Sequence, residues 1–164
     1  MTSVIRPRVL SPHTGERLYL DDALEPLLVD ARPGPVCVYG PAGSGKSTAL
    51  RLLAGRLPPG AVVTILDGPR LEEVAELADT MLVVYSASSP FAVKHRSTFE
   101  LASWGEDEVL DYLLATAKER CGSVLARLRS SPDDDRPTWP EMWRACLDVM
   151  VEEEAVLTPR EGLR

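Results

Sequence analysis

Apolar residues recur along this chain in two rhythms. Val36-Cys37-Val38-Tyr39, Val62-Val63-Thr64-Ile65-Leu66 and Met81-Leu82-Val83-Val84-Tyr85 are short continuous runs rich in β-branched side chains. Pro, Gly, Asp or Ser flank each run, so they predict buried strands. Thr98-Phe99-Glu100-Leu101 predicts a short fourth strand. Between the runs the leucines fall at helical spacing. Leu24, Leu27 and Leu28 predict a helix over 21–31, and Leu50, Leu53 and Leu57 another over 46–57. A shorter helix is predicted over 70–77. Pro33-Gly34-Pro35 and Pro58-Pro59-Gly60 stop the first two. Strand alternating with helix predicts an α/β fold with a parallel sheet. The first ten residues read as irregular, and Ser11 to Gly15 as a turn.

Beyond Trp104 the rhythm becomes helical throughout. Val109, Leu110, Leu113 and Leu114 mark a helix over 106–115, with Glu106-Asp107-Glu108 where a helix N-terminus favours negative charge. Further helices are predicted over 121–129 and 140–154. The change of rhythm divides the chain into an α/β core over 1–103 and a helical subdomain over 104–164.

Charge adds an exclusion. The chain carries 18 Lys and Arg against 25 Asp and Glu, a net charge of −7, with the acidic excess concentrated after residue 60. Binding to nucleic acid rests on cationic neutralisation of phosphates, so nucleic acid is not the expected partner. The acidic helices are an expected surface for a protein partner instead. Cys37, Cys121 and Cys146 are too few and too scattered for a disulfide framework or a zinc site and read as buried thiols in a reducing compartment. No run approaches the length of a membrane helix, and residues 1–10 hold no signal-like apolar stretch, so a cytoplasmic location is expected.

One loop carries specific chemistry. Gly40-Pro41-Ala42-Gly43-Ser44-Gly45-Lys46-Ser47 fits G-x-x-x-x-G-K-[ST] at every fixed position. It lies between a predicted strand and a predicted helix, the context that a phosphate-binding loop requires. The glycines let backbone N–H groups turn inward around an anion. Lys46 supplies a cation to the β- and γ-phosphates, Ser47 a hydroxyl to Mg²⁺, and the helix opening at Thr48 an N-terminal dipole. Gly40 through Thr48 are therefore the candidate nucleotide-binding residues, with Lys46 also a candidate catalytic group.

A metal needs a second anchor. Asp67, at the end of an apolar run, is the candidate, on the expectation that its strand lies beside the loop strand. Ser47 and Asp67 together form the expected Mg²⁺ site, and Asp67 the second candidate catalytic group. The next residue is Gly68, where hydrolytic relatives often carry an acid that orients water, so fast turnover is not expected. Ser86 and Ser88 stand where a polar group could sense the γ-phosphate, and Arg96 could reach phosphate from the loop over 86–97. The run Asp133-Asp134-Asp135 lacks the spacing of a calcium loop. Trp104, Trp139 and Trp143 read as packing residues of the helical part.

These residues support a family comparison. Positions 36–48 resemble P-loop NTPases at large, and 46–60, KSTALRLLAGRLPPG, resemble transporter-type ATPases locally, although no LSGGQ-like signature follows. The order of loop strand, Asp-ended strand, Ser-tailed strand and helical tail is similar to a reduced AAA+ or NACHT-like ATPase. That resemblance implies a three-layer P-loop NTPase with a short parallel sheet of three or four strands and a small C-terminal helical lid. It implies ATP and Mg²⁺ as ligands and a regulatory or slow ATPase whose nucleotide state positions the helices. No N/T-K-x-D motif is present, which turns the nucleotide away from guanine. A small-molecule kinase and an interaction module with a non-hydrolysing site remain open as alternatives.

Overall fold

The computed structural model describes residues 5–30, 32–57 and 60–163. It divides into two compact units. One is Arg6–Ala102; the other runs from Ser103 onward and includes Ile5.

The first unit is an α/β sandwich. Its strands are β1 (Arg8–Leu10), β2 (Arg17–Tyr19), β3 (Gly34–Tyr39), β4 (Val63–Asp67), β5 (Leu82–Ala87) and β6 (Ser97–Leu101), and its helices are α1 (Leu20–Asp30), α2 (Lys46–Ala54) and α3 (Leu71–Ala78). They form one six-stranded sheet in the order β2-β1-β6-β3-β5-β4. The four strands β6, β3, β5 and β4 are parallel; β1 runs antiparallel to both β2 and β6.

The period-2 alternation of each strand divides its side chains between two layers. Val36 and Val38 of β3, with Val84 of β5 and Phe99 of β6, face Leu20 and Leu24 of α1 and Leu50 and Leu53 of α2 in one core. Cys37 of β3 and Tyr85 of β5 face the other way, onto Val74 of α3. The expected α/β architecture with helices on both sheet faces is present. The expected size of the sheet was too small. The segment read as irregular contains β1, and the turn over 11–15 joins β1 to β2 as a hairpin, with Val9 paired to Leu18.

The second unit is helical: α4 (Glu106–Thr116), α5 (Cys121–Ser130), α6 (Pro140–Glu152) and the short α7 (Pro159–Gly162). Its core gathers Val109 and Leu113 of α4, Val124 and Leu128 of α5, and Trp143, Leu147 and Met150 of α6. Tyr112 donates to Asp148 at 2.8 Å, tying α4 to α6, and burial, with this bond second, pushes its phenol up to about 12. All three cysteines are free and buried, and burial raises the Cys37 and Cys146 thiols.

The C-terminus of α6 leaves backbone carbonyls without helical donors. Two arginines supply them. Arg127 Nη2 donates to Met150 O, and its Nη1 to Glu153 O at 3.2 Å and Val156 O at 2.7 Å; Arg120 Nη1 donates to Val151 O at 2.8 Å. Positive charge is also favourable at that end of the helix dipole. Replacing Arg127 with Met keeps the apolar stem and strands these acceptors. The Arg127→Met chain is expected to unfold at lower urea, with a loss of about 2 kcal/mol. A midpoint equal to that of the unaltered chain would show that water serves those carbonyls as well.

Candidate functional site

The parallel strands β3 and β5 end side by side. β3 closes at Tyr39, and Gly40 N–H donates to Ala87 O at 3.3 Å, so the turn leaving β3 is anchored to the end of β5. From there the backbone curls over 40–45 and enters α2 at Lys46. Gly45 makes the entry with φ +89°, and Gly43 stands at +75°, both left-handed and costly for a residue with a Cβ. Gly40 is required for a different reason. A Cβ there would lie 2.9 Å from Ser44 Oγ, so the loop closes on itself only without one.

The result is a cradle of donors. Among the described residues, the N–H groups of Gly45, Lys46, Ser47 and Thr48 have no protein acceptor, as expected for the first turn of a helix without a side-chain cap. Lys46 Nζ donates to Gly40 O and Pro41 O, both at 2.7 Å. The ammonium is thus clamped at the mouth of the loop, and it has a third N–H to offer. Pro41 and Ala42 are exposed, Ser47 is exposed and Thr48 half-buried. Ser44 is 3% exposed, and its hydroxyl has no hydrogen-bond partner among the described residues.

Asp67 comes to the same place by a route the sequence did not indicate. Its strand is not beside the loop strand: β5 lies between β3 and β4. Nothing local distinguishes the two apolar runs, and the pairing is decided by packing across the sheet. Ser86, on the intervening β5, makes up the distance. It is buried, pairs in register with Asp67, donates its hydroxyl to Asp67 Oδ1 at 2.5 Å and accepts from Gly68 N–H at 3.0 Å. Hydroxyls of Ser47 and Ser86 hold the Asp67 carboxyl below the usual carboxylate range against a small opposing effect of burial, and the positive charges of Arg51 and Lys46 add to this. The carboxylate is therefore ionised, exposed and oriented beside Ser47 and Lys46.

The remaining candidates separate. Ser86 orients Asp67, a task beyond the sensing read from sequence, and Ser88 is exposed. Arg96 lies at the opposite end of β3: its backbone N–H donates to Pro35 O, its side chain packs against Gly34, and Nη2 pairs with Asp30 at 2.6 Å. It does not join the loop. Arg51, unmarked in the sequence, adds its charge near Asp67, and its place in the last turn of α2 carries no local signal of this.

A glycine-rich loop of unpaired amides, a clamped lysine ammonium and an ionised Asp, gathered at the C-terminal ends of parallel strands, decide the fold. The chain has the α/β fold of P-loop NTPases. Comparison with curated proteins agrees. The hemin import ATP-binding protein HmuV of Thermobifida fusca (strain YX) is 38% identical over 114 residues, 66% of this chain and 39% of that protein. The ABC transporter G family member 3 of Arabidopsis thaliana is 54% identical over 48 residues, 29% of this chain and 7% of that protein. The P-loop chain therefore spans well under two thirds of either relative. No family model matches it. One relative is named an import ATP-binding protein and the other an ABC transporter family member, which supports the P-loop reading and gives no support to the AAA+ or NACHT-like type expected from the order of elements. Among the described residues, no helix is long and apolar enough to cross a membrane.

Proposed function

We propose that this chain binds Mg-ATP in the loop Gly40–Thr48 and acts as a slow ATPase or regulatory nucleotide switch. The observation that carries this is the Lys46 ammonium clamped over a loop whose helix-entry N–H groups lack protein acceptors. Such a cradle suits a polyphosphate, and a bound anion would gain the helix dipole as well. ATP follows from the relatives, both of which bear ATP-binding or ABC transporter names.

The donors present fit a hard divalent cation: a hydroxyl from Ser47 and an ionised carboxylate from Asp67, both oxygens. Mg²⁺ held there would neutralise charge on the phosphates. The chain's own part is to fix the carboxylate through Ser86 and to hold the phosphates through backbone amides. Gly68 carries no acid after Asp67, so no side chain at that position polarises an attacking water, which is the basis for expecting slow turnover. The helical unit is the proposed reader of nucleotide state.

Titration of a fluorescent ATP analogue with and without Mg²⁺, joined to a phosphate-release assay, tests the reading. Asp67→Asn is expected to remove the Mg²⁺-dependent part of the affinity and leave the metal-free part. The pH dependence has a definite sign. The folded carboxyl titrates below its ordinary value of 3.8, so the ionised form is fully present above that value and is lost only as pH falls through the lower, folded one. Asp67 itself is therefore expected to add no pH dependence to the Mg²⁺ effect between about pH 8 and 5, so any change in that range should be the same in Asp67→Glu and should follow the ionisation of the terminal phosphate. A Mg²⁺ effect that survives Asp67→Asn assigns the metal to other ligands.

A further inference from the structure

The helical unit contains a hollow that the nucleotide reading leaves without a task. It has a volume of about 150 Å³ and opens between the start of α4, the last turn of α5 and the start of α6. Its deep side is apolar: Val109, Leu128 and Trp143 line it and are each at most 5% exposed, and the half-buried Trp104 joins them. A volume of about this size accommodates a single aromatic ring.

One polar feature shows what the ring should carry. Arg129 lines the hollow with its side chain 69% exposed. Its Nε contacts Glu106 at 3.2 Å, and among the described residues its two terminal nitrogens have no partner. An exposed pair of this kind is weak and leaves the guanidinium fork available. Arg136, the other cation in the lining, is already committed to Asp133 at 3.0 Å and to Leu128 O at 3.2 Å. A free guanidinium fork matches a planar carboxylate in two parallel bonds.

We propose that this hollow is a binding site for a small aromatic monocarboxylate, its ring among Trp104, Val109, Leu128 and Trp143 and its carboxylate on Arg129. The capacity is one ring rather than a length of peptide. The proposal does not depend on nucleotide binding.

The test is an NMR titration of the full ¹⁵N-labelled chain with 3-phenylpropionate, and in parallel with its neutral isostere 3-phenylpropionamide. Saturable shifts are expected in the indole signals of Trp104 and Trp143 and not of Trp139, with Kd on the order of millimolar, as ligand efficiency allows for so small a molecule. The amide is expected to bind at least about fivefold more weakly, and Arg129→Gln to weaken the acid by a similar factor and leave the amide unchanged. Glu106→Gln removes a competing carboxylate and is expected to strengthen the acid. Leu125→Trp, on the hollow's lining, is expected to fill it and abolish both. Equal binding of acid and amide, indifference to Arg129→Gln, or non-saturating shifts spread over all three indoles would each overturn the proposal. Arg129 and Glu106 are exposed, so their variants keep the test decisive even if Leu125→Trp does not fold.

Discussion

Lys46→Ala is expected to weaken Mg-ATP binding roughly 10- to 150-fold, because charge-assisted hydrogen bonds are worth about 1.5–3 kcal/mol and each 1.4 kcal/mol is a factor of ten. The effect should fall toward the upper end. Lys46 Nζ does two things in the structure: it presents charge at the cradle, and it clamps Gly40 O and Pro41 O at 2.7 Å. Removing it takes away the cation and releases the turn that shapes the cradle. The two effects can be parted. Without nucleotide, the loss of the clamp is a partly solvated local change, expected to cost about 1 kcal/mol or less in urea unfolding. The binding loss should be larger and should be seen with and without Mg²⁺, unlike that of Asp67→Asn. If the fluorescent nucleotide binds the Lys46→Ala chain with unchanged affinity, the loop is not the site.

How far the sequence reaches this site is instructive residue by residue. The loop itself was legible because its chemistry is local. Glycines at fixed positions, a lysine and a hydroxyl stand between an apolar β-branched run and leucines at helical spacing, and each of those signals survives packing. The main strands and helices were legible for the same reason. The hairpin β1–β2 was not. Its strands have three residues each, include Arg8 and Arg17, and bury little beyond Val9, so no period of two can develop. Strand order was not legible either. The runs ending at Asp67 and at Ala87 are alike in composition, and only tertiary packing inserts β5 between β3 and β4. That insertion gives Ser86 its role, which is why a serine read as a possible sensor is found orienting the carboxylate. Arg127 is a further case. An arginine in a helix has no mark that foretells four carbonyl partners some two dozen residues away.

The largest loss of stability is expected at Tyr85. Parallel strands are normally joined by a dozen or more residues, usually including a helix that covers the sheet. Here β5 and β6 are joined by 88–96 alone, with no helix in that stretch. Tyr85 stands in for the missing cover. It is fully buried beside Cys37 and Val74, stacks on Phe91 with centroids 5.1 Å apart, and shares a short hydrogen bond with His95 Nε2. Its hydroxyl also accepts from Phe91 N–H at 3.4 Å. Burial raises this phenol and lowers the His95 imidazole, so both are held neutral. Tyr85→Ala leaves a cavity and unpins the connection, at a cost of about 3–5 kcal/mol. Tyr85→Phe keeps the stack and loses only the hydroxyl, at about 1–2 kcal/mol. Urea midpoints with unchanged slope would measure both. The adjacent Ser86 and Ala87 hold Asp67 and Gly40, so a β5 loosened by Tyr85→Ala should also bind nucleotide more weakly, whereas Tyr85→Phe should bind as the unaltered chain does. Equal stability of the alanine and phenylalanine variants would mean that the aromatic stack contributes nothing and that the nine-residue connection holds its own shape.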